Sequence, residues 1–108
     1  MYMSNRINNA INLIGTEIIN TLQDISKPII ENIDVGGPAM VRAAAKNYGD
    51  VTVITSINQY SKLIEELKIN KGSTSLNFRK KLSRLAFTET AFYDSVIADY
   101  LNKISKID

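Results

Sequence analysis

Apolar residues along this 108-residue chain recur mainly at helical spacing. In the first segment they follow one another at steps of three or four positions, which predicts one apolar face of a helix from about Asn5 to Asp24. These residues are Ile7, Ile11, Ile14, Ile18, Leu22 and Ile25. Gly15 weakens this helix by about 1 kcal/mol. We expect the helix to end near Ser26, and Pro28 to begin a short helical turn that runs to Asn32.

The middle of the chain contains one clear strand pattern. Val51–Ile54 is short and rich in β-branched residues, which favour strands. Before it, Pro38 to Asn47 consists mainly of good helix formers with small side chains. After it, Ser56 and Gln59 form a capping-box pattern for a helix that reaches about Ile69. One strand cannot form a sheet by itself, so the pattern predicts a mostly α-helical chain with one short strand.

The last third of the chain predicts one long helix. A loop at 68–73 precedes Ser75, which is a suitable N-cap residue. The expected apolar stripe of this helix is Phe78, Leu82, Leu85, Phe92, Val96, Tyr100 and Ile104. We expect Tyr93 and Tyr100 to lie in a core or an interface. The basic residues at the start of the helix are expected to form its solvated face; they are Arg79, Lys80, Lys81 and Arg84.

The composition of the chain excludes several functional classes. It contains no Cys and no His, so the usual ligands of zinc, iron and copper are absent, and we expect no metal and no cofactor. Thirteen basic against eleven acidic residues leave a net charge of +2, too small an excess to indicate nucleic-acid or membrane binding. The N-terminal segment suits neither a signal peptide nor a membrane span. We therefore expect a small cytoplasmic protein.

Candidate chemistry concentrates in the segment that leads into the second predicted helix. Asp34 precedes Gly36 and Gly37, which can adopt positive φ and allow a ligand to approach closely. Lys46 lies near the end of that helix, about 12 Å along its axis from Pro38. Joint action with Asp34 therefore requires a folded-back loop or a bridging substrate. On the residues alone, the aspartate can equally be a helix cap, the diglycine a turn, and the lysine a cation favoured by the helix dipole.

Residues 30–47 read Ile-Glu-Asn-Ile-Asp-Val-Gly-Gly-Pro-Ala-Met-Val-Arg-Ala-Ala-Ala-Lys-Asn, and Asp-Val-Thr-Val-Ile follows at 50–54. Together with spaced residues in the last helix, such as Tyr93-Asp94 and Ile97-Ala-Asp-Tyr-Leu101, this segment resembles the IMP cyclohydrolase domain of the bifunctional enzyme AICAR transformylase/IMP cyclohydrolase. On this resemblance we divide the chain into three parts. They are a divergent N-terminal helix at 1–28, a partial IMP cyclohydrolase-like domain at 29–102 and a C-terminal tail at 103–108.

The resemblance implies an α/β fold of the methylglyoxal-synthase type and a hydrolase-class role in purine nucleotide biosynthesis. In that role formyl-AICAR closes to IMP with loss of water. By motif position the resemblance makes Asp34 and Lys46 the catalytic residues. The substrate-binding residues that it implies are Val35, Gly36, Gly37 and Asn47. The implied partners are the purine nucleotide and either a second copy of the chain, as in a homodimer, or the missing part of the enzyme.

Two departures from the family pattern leave alternatives open. The family binds its substrate phosphate with a Ser/Lys loop, a Gly-Gly-Thr turn and a Lys-Thr segment, which have no counterpart here, and this should weaken nucleotide binding. Asn12-Leu13-Ile14 also aligns with the family's Asn-Leu-Tyr-Pro-Phe strand and loop, with Ile14 in place of an active-site tyrosine. Residues 1–28 are thus either a new helix or an eroded strand. The alternative function is a non-catalytic, helical interaction or dimerisation module.

Overall fold

The computed structural model describes the backbone of residues 22–105 and the side chains of residues 27–105. Its regular elements are the helices α1 (Leu22–Glu31), α2 (Gly36–Lys46), α3 (Tyr60–Ile69) and α4 (Leu76–Ser105), with a 3₁₀ helix at Ile57–Gln59. No β-strand occurs within this described part of the chain. The predicted helix from Asn5 and its strand alternative at 12–14 lie outside the described residues, except for the last positions of the helix. The described protein is therefore mostly helical, as the sequence predicts.

The chain divides into two compact units. The first unit comprises residues up to Val35 together with residues from Ala91 onward, and the second comprises Gly36–Thr90. Helix α4 thus contributes its residues 76–90 to the second unit and 91–105 to the first. The division at 28/29 and 102/103 that the family resemblance implies stays a prediction.

The second unit has a core built from α2, the segment after it and the first half of α4. Its buried members are Ala45, Val53, Phe78, Leu82 and Ala86. Partly buried apolar side chains surround them; these are Val41, Ala44, Ile54, Leu63 and Phe87. The two alanines have no exposed surface. Because an alanine side chain ends at Cβ, it allows close approach of helix backbones, and this core is therefore small and dense.

The predicted strand at Val51–Ile54 is wrong. Residues 51–55 have no regular secondary structure, although Val53 is 8% exposed. β-branched residues favour a pleated conformation where a second strand completes the hydrogen-bond ladder, and the described residues supply no second strand. Instead, the Thr52 hydroxyl lies 2.8 Å from the Thr74 hydroxyl. The apolar pattern here reports a buried connection between helices, and the sheet that the family resemblance implies has no counterpart in the described structure.

The prediction that a helix ends near Ser26 is wrong. Helix α1 continues through Pro28 to Glu31. A proline removes its own N–H from the helical ladder, but its carbonyl remains available as an acceptor. The Pro28 carbonyl accepts the backbone N–H of Asn32 at 3.1 Å. The proline therefore lies inside a helix instead of beginning a separate turn.

Helix α2 begins at Gly36, two residues before the predicted start at Pro38. Both glycines of the diglycine lie in its first turn. Among the described residues, positive φ occurs at Lys71 (54°) and Gly72 (96°), so the diglycine does not use the positive φ that glycine permits. Pro38 is accommodated because the first four N–H groups of a helix have no partner within it.

The capping box predicted at Ser56 and Gln59 is also wrong. Ser56 is the N-cap of the 3₁₀ helix but makes no side-chain hydrogen bond there. The Gln59 side-chain oxygen instead accepts the backbone N–H of Thr55 at 3.0 Å. The chain thus passes through a 3₁₀ turn before α3 begins at Tyr60.

The connection between α3 and α4 contains two residues with positive φ, Lys71 and Gly72. The N–H of Gly72 donates to the Leu67 carbonyl at 2.7 Å, a bond that spans the end of α3. Lys71 occupies the left-handed position just before it, where glycine is the usual residue. The loop predicted at 68–73 is therefore present, although α3 extends into it as far as Ile69.

A carboxylate of α3 anchors the start of α4. Glu66 accepts the backbone N–H of Ser75 at 2.9 Å and the Ser75 hydroxyl at 2.7 Å. The Ser75 oxygen in turn accepts the N–H of Phe78 at 3.2 Å, which confirms this serine as the N-cap of α4. The two hydrogen bonds that Ser75 donates to Glu66 hold the pKa of Glu66 below its ordinary value of 4.5, and the bond from the backbone N–H has the larger effect.

The buried stripe of α4 agrees only in part with the predicted one. Phe78, Leu82, Tyr93 and Tyr100 are buried as expected. The predictions for Leu85 and Phe92 are wrong, because these side chains are 38% and 48% exposed. Ser83, Ala86 and Thr90 are buried in their place. Small and polar residues can occupy the buried face of a helix, and a prediction from large apolar residues does not include them.

Arg79 also departs from its prediction as part of a solvated basic face. Its guanidinium donates to the carbonyls of Tyr48 at 2.8 Å, Gly49 at 3.1 Å and Thr74 at 2.5 Å. A planar fork of donors suits several carbonyls at once, so this arginine fastens the turn after α2 to the start of α4. The other three basic residues are exposed as predicted; they are Lys80, Lys81 and Arg84.

Replacement of Ser83 by alanine should destabilise the second unit. The buried Ser83 hydroxyl donates to the Ala45 carbonyl at 2.7 Å, and its removal leaves that carbonyl buried without this donor. We expect the free energy of unfolding, measured by urea titration, to fall by about 1–2 kcal/mol. Ser95→Ala on the same helix is the matched control, because the exposed Ser95 hydroxyl bonds only to the Phe92 carbonyl of its own helix. Equal effects of the two substitutions would contradict the role given to Ser83.

The lowered pKa of Glu66 predicts a pH dependence of stability. A carboxyl group with a lower pKa in the folded state stabilises the fold above its unfolded pKa, and this contribution disappears as the pH falls through the folded value. The difference in unfolding free energy between the unmodified chain and Glu66→Gln should therefore narrow as the pH falls through 4.5 and then through the lower folded pKa of Glu66. Glu65→Gln, at an exposed position of the same helix, should show a smaller change. A Glu66→Gln difference that stays constant over this range contradicts the interpretation.

Candidate functional site

Asp34 and Val35 connect α1 to α2 in the first unit. The backbone N–H of Asp34 donates to the hydroxyl oxygen of Tyr93 at 2.8 Å, a contact between residues 59 positions apart. Tyr93 is 2% exposed, whereas the Val35 side chain is 75% exposed. A buried aromatic residue therefore fixes the backbone at Asp34, and the next residue presents an apolar surface to solvent.

The remaining predicted site residues lie at the two ends of α2 in the second unit. Gly36 and Gly37 begin this 11-residue helix, and Lys46 and Asn47 lie at its other end. At 1.5 Å per residue, the helix separates the two pairs by about 15 Å along its axis. It therefore does not bring them together. Apart from its chain neighbours and the backbone of its own helix turn, no atom of the described residues lies within 4 Å of the position where a Cβ would stand on Gly36, which leaves open space beside the first turn.

The backbone around Lys46 is fixed by contacts on both sides. The preceding carbonyl, that of Ala45, accepts the buried Ser83 hydroxyl. The carbonyl of the following residue, Asn47, accepts the N–H of Val51 at 2.9 Å. Lys46 itself is exposed in the last turn of α2, where the helix dipole favours a cation. The arrangement presents an accessible ammonium group on a well-anchored helix end.

A cleft of about 380 Å³ also lies in the second unit. Its polar lining includes Thr55, Lys62, Lys81 and Glu89. None of the predicted catalytic or substrate-binding residues contributes to it. The cleft is therefore separate from the residues that the family motif singles out.

The described residues contain neither a metal-binding cluster of acidic, His or Cys side chains nor a membrane-spanning helix. Within them, no group of three or more acidic, His or Cys side chains is arranged to hold a metal ion. No described helix has an apolar run long enough to cross a membrane.

The hydrogen bonds of Tyr93 and Ser83 were not predicted from the sequence. Tyr93 was predicted to be buried, but the hydrogen bond of its hydroxyl to Asp34 was not. The two contacts join residues 59 and 38 positions apart, and no periodic pattern reports such pairs. One signal was available, because a buried tyrosine hydroxyl usually requires a hydrogen-bond partner.

Comparison with known proteins gives a consistent result. Residues 44–108 match the model of the AICARFT/IMPCHase bienzyme family. The bifunctional purine biosynthesis protein PurH of Persephonella marina is 59% identical over 80 residues, which cover 74% of this chain and 15% of that protein. PurH of Lactobacillus acidophilus is 46% identical over 99 residues, which cover 86% of this chain and 19% of that protein.

A third relative, PurH of Bradyrhizobium diazoefficiens, is 48% identical over 79 residues, again 73% of this chain and 15% of the relative. The chain thus spans between 15% and 19% of the length of these curated relatives. The family match covers more than half of the chain and includes Lys46 and Asn47. This chain belongs to the AICARFT/IMPCHase bienzyme family.

Proposed function

We propose that this chain supplies part of an IMP cyclohydrolase site, where formyl-AICAR closes to IMP in purine nucleotide biosynthesis. The supporting observation is family membership over a range that includes Lys46 and Asn47. The Asp-Val-Gly-Gly motif precedes this range in the sequence. In this proposal the protein is cytoplasmic, and the α/β methylglyoxal-synthase-like fold belongs to the longer family polypeptide.

The proposed reaction forms one bond and releases one water molecule. The carboxamide nitrogen attacks the formyl carbon and loses one proton, the formamide nitrogen loses a second as its double bond to that carbon forms, and the formyl oxygen leaves with both protons as water. Such a step requires a proton acceptor near the nitrogen and stabilisation of negative charge on the oxygen. We assign the first role to the Asp34 carboxylate and the second to the Lys46 ammonium group. Because the length of α2 lies between the two residues, this pair can act on one substrate only if a folded-back connection or a bridging substrate joins them.

The proposed substrate-binding residues differ in what they can offer. Val35 exposes an apolar side chain that suits one face of a purine base. Gly36 leaves open space, and Gly37 follows it in the first turn of α2. Asn47 is exposed and carries an amide that can both donate and accept hydrogen bonds. We propose that the substrate phosphate is bound by groups outside this chain, supplied by the rest of the enzyme.

Substitution of the proposed catalytic pair tests this function. In Asp34→Asn the proton acceptor is lost, and in Lys46→Met the cation is lost, so we expect IMP formation from formyl-AICAR to fall by about 10²-fold or more in each variant. IMP is measured by chromatography. Asp50→Asn and Lys68→Met are matched controls at exposed positions, and they should retain the unmodified rate.

Two results would contradict the proposal. Unmodified rates in both Asp34→Asn and Lys46→Met would remove the assigned roles. If the chain combined with the rest of the enzyme forms no IMP, and the melting temperature of this combination does not rise with millimolar IMP, the function itself is contradicted. A ligand that binds only the folded state adds about 2.7 kcal/mol at 100 times its dissociation constant, a shift that a thermal melt detects.

A surface of α3 favours the interaction module as a second candidate function. Tyr60, Ile64 and Leu67 recur at helical spacing and are 52%, 53% and 36% exposed, and Ile57 just before them is 80% exposed. Contiguous exposed apolar surface is typical of interaction sites. Under this second proposal, the surface formed by these four residues pairs two copies of the chain.

Replacement of Ile64 by lysine tests the second proposal. A charge at the centre of an apolar contact is costly to bury, so Ile64→Lys should convert a dimer into a monomer in sedimentation velocity at about 50 µM protein. Ile69→Lys makes the same substitution at an exposed position about 140° from Ile64 around α3 and should leave the dimer intact. An unmodified chain that sediments as a monomer at this concentration would contradict the dimer.

A further inference from the structure

The Tyr93 hydroxyl contacts the backbone of Asp34 in the first unit, and the proposed catalytic role of the Asp34 carboxylate does not by itself require this contact. Its oxygen lies 2.8 Å from the backbone nitrogen of Asp34, and Tyr93 is 2% exposed. A hydrogen bond sheltered from water competes less with solvent than one at the surface. The contact therefore restrains the peptide that carries Asp34, in a short connection between two helices.

Tyr100 provides an internal comparison on the same helix. It is also 2% exposed, and its hydroxyl has no hydrogen-bond partner within the described part of the protein. Burial raises the pKa of Tyr100. The two tyrosines thus have similar burial, but one hydroxyl bonds to the backbone of a proposed catalytic residue and the other does not. Burial of the ring alone does not account for the Asp34 contact.

We propose that Tyr93 is a positioning residue for Asp34. This inference rests on the proposed function, because it requires the Asp34 carboxylate to act on the substrate. The tyrosine touches the backbone of Asp34, and its action on the reaction passes through that residue. Its hydroxyl oxygen holds the Asp34 N–H in one direction, and the direction of the N–H limits where the Cα–Cβ bond points.

The expected kinetic effect follows from this geometry. Tyr93→Phe keeps the aromatic ring and removes the hydrogen bond, so the peptide at Asp34 can rotate away from its productive orientation. Displacement of a catalytic group by about 1 Å can lower a rate by about 10²-fold, and a partial loss of orientation should lower kcat by about 10-fold. KM should stay within about twofold, because in this proposal the Tyr93 hydroxyl bonds to the enzyme backbone and not to the substrate.

The experiment compares Tyr93→Phe with Tyr100→Phe in the full chain. Amide hydrogen exchange followed by NMR reports on the Asp34 N–H directly, and steady-state ring closure gives kcat and KM. We expect exchange at Asp34 to accelerate by about 10-fold or more in Tyr93→Phe and to stay unchanged in Tyr100→Phe. Both variants remove one hydroxyl from an equally buried tyrosine. A general loss of stability would instead accelerate exchange throughout the chain.

Several results would overturn the positioning role. They are an Asp34 amide that exchanges at the unprotected rate in the unmodified chain, an unchanged kcat in Tyr93→Phe, and equal kinetic changes in both variants. The first of these requires no substitution, so it applies even if Tyr93→Phe fails to fold. Asp34→Asn distinguishes failure of the proposed function from failure of the positioning role. If it keeps the unmodified rate, the proposed function fails and there is no catalytic group to position; if it is inactive while Tyr93→Phe keeps full kcat, the positioning role alone fails.

Discussion

Burial along helix α4 is the constraint on which the rest of the described structure depends. This 30-residue helix supplies five of the eight buried apolar residues in the described part of the chain, and it contributes to both compact units. A helix returns to the same face every three or four residues, so one stripe can serve a core in its first half and another in its second half. The first half packs with Ala45 and Val53, and the second half provides the buried Tyr93 and Tyr100.

Polar side chains of α4 donate hydrogen bonds to backbone carbonyl groups that a neighbouring strand would satisfy in a sheet. Because residues 51–55 and the turn before them form no strand ladder, the carbonyl groups around them need other donors. Arg79 donates to Tyr48 and Gly49, and Ser83 donates to Ala45. Each of these donors spans more than 25 positions of the sequence. The helix thus holds the end of α2 through side chains that a pattern of apolar residues would assign to solvent.

The difference between local signals and contacts of distant residues explains how much of the fold could be predicted from the sequence. Helix-forming residues correctly indicated α2, helical spacing of apolar residues correctly indicated α4, and Ser75 was correctly identified as an N-cap, because these signals lie within a few residues of the feature they describe. Helix α3 is present as predicted, but the capping box from which it was predicted is not. The strand at Val51–Ile54 was wrong, since a β-rich segment requires a partner that the segment itself does not reveal. Phe92 and Arg79 were assigned to the wrong environments for a related reason: hydropathy describes the side chain, whereas burial depends on what packs against it.

The same limit applies to the candidate site. The family motif identifies the residues proposed to carry the chemistry, Asp34 and Lys46, because their identity and order are visible in the sequence. It does not identify the residues that hold them, since Tyr93 and Ser83 are distant in the sequence and both come from α4. Tyr93 bonds to the backbone of Asp34, and Ser83 bonds to the residue before Lys46, so both hydrogen bonds depend on where these two side chains lie along α4.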